Sequence, residues 1–95
     1  MKTQVSMLSV LLMVKNTISS QRNARLVPTG GVYLQKNEKE IFVCFGGIKS
    51  IQVFYKSELI EVLNTSRHDE MDKAEKEAYS IIKKIYQILD EKTSN

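Results

Sequence analysis

The chain has 95 residues, 42% of them hydrophobic and 26% charged, with a formal net charge of +3. A chain this short makes one domain, and it buries only ~60–65% of the surface its unfolded form exposes, which leaves a thin stability margin. One cysteine, Cys44, and one histidine, His68, exclude a disulfide framework and leave a tetrahedral metal site dependent on several carboxylates.

Charge is polarised along the chain. Residues 1–37 contain no Asp or Glu, while Lys2, Lys15, Arg22, Arg25 and Lys36 contribute +5; the remaining nine basic and eleven acidic residues contribute −2. A phosphate-bearing partner would prefer the front third. An ordinary solvated surface accounts for so modest an excess equally well.

The expected fold is α+β: a three-stranded antiparallel meander over 32–55, flanked by an N-terminal helix and by one short and one long C-terminal helix. In 1–20, Met7, Val10, Leu11, Val14 and Ile18 recur at helical spacing. Val5, Leu8, Leu12 and Met13 widen the apolar surface, so the helix is expected to be buried on more than one side. The same segment also reads as a targeting sequence. Lys2, a short apolar run and the small residues Ser19 and Ser20 fit a secretory signal, and the acid-free start fits an organelle transit peptide. The run is far too short to span a bilayer, which takes about 20 residues.

Residues 21–31 read as a basic loop, punctuated by Pro28-Thr29-Gly30-Gly31. After it, Val32 to Gln35, Ile41 to Phe45 and Ile48 to Tyr55 are runs of β-formers. They are separated by the polar stretch Lys36 to Glu40 and by Gly46-Gly47, where a tight hairpin is expected. Alternation sends Val32, Leu34, Ile41, Val43, Phe45, Ile51, Val53 and Tyr55 to the core. Tyr33, Phe42, Cys44, Ser50, Gln52 and Phe54 fall on the other face, which is apolar enough to call for a cover.

Ser57 is placed to cap a short helix over 57–64 through Leu59, Ile60, Val62 and Leu63, and Asp69 to cap a long one over 69–91. The stripe of the long helix (Met71, Ala74, Ala78, Ile81, Ile82, Ile85, Ile88, Leu89) outruns a five-residue strand of ~17 Å. Its excess from Ile82 onward is expected to meet the N-terminal helix or a second copy of the chain. The tail from Thr93 is expected to fray.

Helix, three antiparallel strands, helix is an order that resembles the double-stranded RNA-binding domain and the small Alu-RNA-binding subunits of the signal recognition particle. The resemblance implies RNA binding. Where the former carries a lysine-rich run, however, this chain reads Lys56-Ser57-Glu58-Leu59-Ile60-Glu61, which is nearly neutral.

Chemistry-bearing residues are sparse. His68 lies in a charged turn without an orienting partner at any telling spacing, and Cys44 sits mid-strand, where burial disfavours the thiolate. Lys49-Ser50 lacks the glycine spacing of a phosphate loop. The acidic cluster from Asp69 to Glu77 lacks the glycine and spacing of a calcium loop, and reads as a solvated helix face. No catalytic, metal or cofactor set is assigned.

The expectation is therefore a non-enzymatic protein-interaction or adaptor module, acting as a homodimer or with another protein. Its candidate interface residues are Phe42, Cys44, Phe54, Ile82, Ile85 and Leu89. The alternative is a nucleic-acid binder using Lys15, Arg22, Arg25, Lys36 and Lys39 beside Tyr33 as a stacking surface. The lone cysteine fits a reducing, cytoplasmic setting, with secretion or import as alternatives if 1–20 is a targeting segment.

Overall fold

A computed structural model describes residues 5–45 and 49–94. In chain order these form α1 (Met7–Ser19), β1 (Ala24–Leu26), β2 (Val32–Lys36), β3 (Lys39–Cys44), β4 (Ser50–Tyr55), β5 (Glu58–Asn64) and α2 (Met71–Thr93). The class is α+β as expected, but the sheet has five antiparallel strands in sequential order rather than three, and the described residues form two helices rather than three. The order shared with the RNA-binding folds is thereby lost. The tight turn expected at Gly46-Gly47 lies outside the described residues.

Two differences in local chemistry explain the extra strands. In 21–31 the Pro28–Gly31 punctuation occupies only the turn of a hairpin. Gly30 takes φ +97°, and its N–H donates to the Val27 carbonyl at 2.9 Å. The chain before it pairs with β2, starting where Asn23 and Gln35 exchange bonds: the Gln35 N–H donates to the Asn23 carbonyl at 2.9 Å, and the Asn23 side-chain amide returns one to the Gln35 carbonyl at 2.9 Å. A three-residue strand is too short to announce itself by alternation.

At the other edge, Lys56-Ser57 is a reversal instead of a helix start. Both residues have positive φ, 51° and 67°, as do Asn37 and Glu38 at the β2–β3 link, 53° and 66°. Two-residue links of this geometry match the twist of the flanking strands. β5 then carries a bulge: Phe54 faces Leu59 and Val53 faces Glu61, which leaves Ile60 as the extra residue. That insertion turns a period of two into the 59, 60, 62, 63 spacing that mimics a helix.

Ser6 caps α1, its hydroxyl accepting the Ser9 N–H at 3.2 Å. At its far end the Ser20 hydroxyl and the Gln21 side-chain amide donate to the Thr17 carbonyl at 2.8 and 3.2 Å, so polar residues satisfy a carbonyl left over at the helix end. Val10, Leu11, Val14 and Ile18 are buried, but Leu8 and Leu12 stay exposed, so α1 is buried on one side only.

α2 has Glu70 at its cap position with no side-chain cap bond; Asp69 instead binds Lys73 at 3.0 Å, and that hydrogen-bonded ammonium holds its carboxyl below the usual range. The helix runs through Thr93, which is buried, its hydroxyl bonded to the Leu89 carbonyl at 2.7 Å, so the expected fraying does not begin there.

The core lies between one sheet face and both helices. Val32, Leu34, Ile41, Val43, Ile51 and Val53 are fully enclosed against α1 and α2. From Ala74 to Leu89 the stripe of α2 is met inside the chain, because α1 packs beside it as well as the sheet below, while Met71 at its start stays exposed. A backbone bridge sets this layout: Val5 N–H donates to the His68 carbonyl at 2.7 Å, and His68 N–H to the Val5 carbonyl at 3.1 Å. Nearby, Glu77 Oε1 accepts the Ser66 N–H at 2.9 Å while its Oε2 stands 3.3 Å from His68 Nε2, within reach for charge attraction though not aligned as a hydrogen bond.

A left-handed L-residue costs about 1–2 kcal/mol relative to glycine, so Glu38→Gly and Ser57→Gly should each raise stability by up to about 1 kcal/mol after glycine's own entropy loss. Urea unfolding should show a higher midpoint at unchanged slope. Glu77→Ala should cost about 0.5–1.5 kcal/mol, because it removes the hydrogen bond from the Ser66 N–H and loosens the segment that joins β5 to α2; amide exchange should quicken at Val5 and His68 before it does in the sheet.

Candidate functional site: the open face of the sheet

Because both helices occupy one face, the other is covered by no helix or strand among the described residues. Register places its residues in two rows. Arg25, Tyr33, Phe42, Phe54 and Leu59 lie in line across β1 to β5, and Cys44, Gln52 and Val62 form a second row across β3 to β5. None of these apolar side chains packs against the buried core. Leu59 and Val62 are 50% and 42% exposed.

The aromatic row is ordered by direct contact. Tyr33 and Phe42 have ring centroids 4.6 Å apart, tilted by 41°, and Phe42 and Phe54 are 6.3 Å apart at 44°, both within the range of favourable aromatic pairs. The Arg25 guanidinium lies 4.4 Å over the Tyr33 ring and 3.8 Å from Glu40. Gly31 completes the row: a Cβ there would overlap the Phe42 ring, so only glycine lets that ring lie down on β2.

Toward the two hairpin turns the face deepens into a cavity of about 590 Å³, within the ~300–1,000 Å³ typical of ligand clefts. Its floor is Tyr33, Phe42, Cys44 and Phe54, and its rim is Glu38, Lys39, Glu40, Tyr55, Lys56 and Ser57. Two acids and two bases make the rim balanced in charge.

The basic residues picked from the sequence do not converge. Arg25 and Tyr33 lie on the open face, whereas Lys39 pairs with Lys36, has the parity of the core-facing residues, and touches the site only at the cavity's rim. The Lys15 ammonium lies against Gly30 from α1, Lys36 is paired with Asp90 of α2 at 2.5 Å, and Arg22 sits exposed in the turn before β1. Of the expected interface residues, Phe42, Cys44 and Phe54 are brought together on this face. Ile85 and Leu89 are buried in the chain's own core and Ile82 packs against it, so the stripe offers no free surface there.

The helical reading of 57–64 conceals Leu59 and Val62. The signal for them was the two-residue polar link Lys56-Ser57 between β-rich runs. His68 and Cys44 are not near one another in any catalytic pairing: His68 faces Glu77 beside α2, and Cys44 lies on the bare sheet. Among the described residues no three His, Cys, Asp or Glu side chains are placed to hold a metal ion, and no helix is long and apolar enough to cross a membrane. Family models, curated proteins and solved structures were all compared with the chain, and none matches.

Gly31→Ala should force the Phe42 ring aside and cost about 1–3 kcal/mol, the usual range for overpacking. In a Phe42→Ala background the same change should cost much less. Thermal unfolding of the four variants of this cycle measures the coupling, and additive losses would show that the ring does not rest on Gly31.

Proposed function

We propose that the chain is a non-enzymatic protein–protein interaction module, and that its docking surface is the open sheet face. The observation that carries this reading is the continuous row Tyr33, Phe42, Phe54 and Leu59, with Cys44 and Val62 beside it, laid across four strands and packed against no core residue. Exposed apolar surface of this extent is costly in water and marks an interaction site.

The partner is a polypeptide of uncharged contact surface. A nucleic-acid backbone needs converging cations, whereas Lys15 and Lys36 lie on the helix side and the rim cancels Lys39 and Lys56 with Glu38 and Glu40. The nucleic-acid alternative is therefore the weaker reading.

Self-association now depends on this same face. Five strands make it about 24 Å wide and about 20 Å long, so two copies face to face would bury about 1,000 Å², the floor for a specific interface. Such a dimer is transient, and the chain acts chiefly by receiving a different protein.

A photo-crosslinking residue at Leu59 or Val62, in cells of the source organism, should give discrete protein adducts, while one at exposed Gln87 on α2 should not. Equal labelling from both positions, or none, would sink the proposal. Purified protein should sediment as a monomer at low micromolar concentration, and mixed RNA or DNA should show no binding even at low salt, where a phosphate-driven contact is strongest.

A further inference from the structure

Resting on the reading of the open face as a protein-docking surface, we propose that its cavity receives one uncharged aromatic side chain of the partner polypeptide as the anchor of the complex. The cavity is walled by ring faces, chiefly Tyr33, Phe42 and Phe54, and its volume of about 590 Å³ holds a ring with room for its neighbours. Phe42 and Phe54 stand 6.3 Å apart and tilted, so a third ring resting in the cavity meets both with the offset or edge-on geometry that aromatic groups favour.

The choice between a neutral ring and a cation is made by the chain's own side chains. Rings with a carboxylate nearby are also the makings of a cage for methylated ammonium groups. Here the tyrosines are already capped. Arg25 lies 4.4 Å over Tyr33, while Lys56 and Lys92 stand 5.4 and 5.9 Å from the Tyr55 ring. At either tyrosine an incoming cation would have to displace a resident one, and on the rim Lys39 and Lys56 offset Glu38 and Glu40, so no net negative charge draws it in. Phe42 and Phe54 have no such cap among the described residues; an aromatic group can stack on these open rings, and with the rim neutral no carboxylate is left over to hold a cation there.

Continuity decides between a side chain and a free small molecule. Beyond the cavity the apolar face runs on through Leu59 and Val62. A lone ring leaves that strip wet, whereas a polypeptide that seats its ring in the cavity also covers the strip. This is the arrangement in which a central aromatic carries most of the binding energy and its surroundings exclude water.

The chain contains no tryptophan. The ¹⁵N-labelled full-length protein is titrated with N-acetyltryptophanamide, N-acetylleucinamide, benzyltrimethylammonium and a short single-stranded oligonucleotide. The expected result is saturable millimolar binding of the tryptophan amide, with shifts centred on Phe42, Cys44 and Phe54, and clearly weaker leucinamide and ammonium binding. Phe54→Ser should weaken it about tenfold while the amides of α1 and α2, on the opposite face, keep their shifts. Gly31→Ala, which displaces the Phe42 ring from the other side, should give an independent loss.

Absence of saturable shifts, leucinamide or the cation binding as well as the aromatic amide, or the oligonucleotide moving the same resonances would each overturn the proposal. So would self-association that Tyr79→Ala abolishes, since exposed Tyr79 of a second copy would then be the ring that fills the site. Face-specific crosslinks without aromatic binding would overturn the anchor and leave the docking face standing, whereas failure of the crosslinks strikes the docking face itself.

Discussion

Two backbone hydrogen bonds between Val5 and His68 bring the start of α1 beside the approach to α2. The residue before α1's cap is thereby tied to the segment that leads into α2, so both helices set out from the same end of the sheet, and they pack together on the same side of it. The rest of the architecture depends on that pairing. Had α1 crossed to the opposite face, the small sheet would have become the middle of three layers, with Phe42 and Phe54 in a second core. Instead one face is covered twice and the other is left bare.

Doubling the cover on one face is also how a small chain secures enough buried apolar surface. The α2 stripe outruns the strands beneath it, and α1 fills the difference through Val10, Leu11, Val14 and Ile18. Glu77 steadies the arrangement from α2 by accepting the Ser66 N–H and facing His68, so the link to Val5 is held from the helix as well as by its own bonds. Against these gains stand the two reversals at Asn37-Glu38 and Lys56-Ser57, where side-chain-bearing residues take left-handed backbone geometry at some cost. Those reversals form the rim of the cavity, so the strain sits beside the candidate site, away from the core.

Much of this layout was legible in the residues. Alternation within the three runs Val32 to Gln35, Ile41 to Cys44 and Ser50 to Phe54 separates the core-facing residues from their opposites as the structure has them, because a one-residue slip would turn every side chain over. The helices were legible from 3.6-residue periodicity. What failed was the edges. β1 is three residues long, and pairing rather than pattern makes it a strand. β5 conceals its period behind the bulge at Ile60, so Leu59, Ile60, Val62 and Leu63 imitate one face of a helix. The side on which α1 packs was not legible either. It turns on a contact between Val5 and His68, far apart in sequence, with no local signature. Because β5 was misread, Leu59 and Val62 were missing from the expected site, although Phe42, Cys44 and Phe54 were in it.

The edges and the face of this sheet are treated differently, and the difference bears on function. An exposed strand edge invites pairing with another chain. One edge here is the very short β1, carrying Arg25, and the other is β5, bulged at Ile60 and carrying Glu58 and Glu61. Short length, charge and bulges are the usual means of keeping edges from associating. The open face has no comparable protection: across β2 to β5 its central row is Tyr33, Phe42, Phe54 and Leu59. Its charges, Arg25 and Glu40, pair with each other at the margin instead of breaking up the apolar centre. A sheet that blunts both edges yet leaves its face apolar is built in the way the proposed docking role requires. On that proposal, contact would be made through side chains rather than backbone, and specificity would rest on the shape of the cavity.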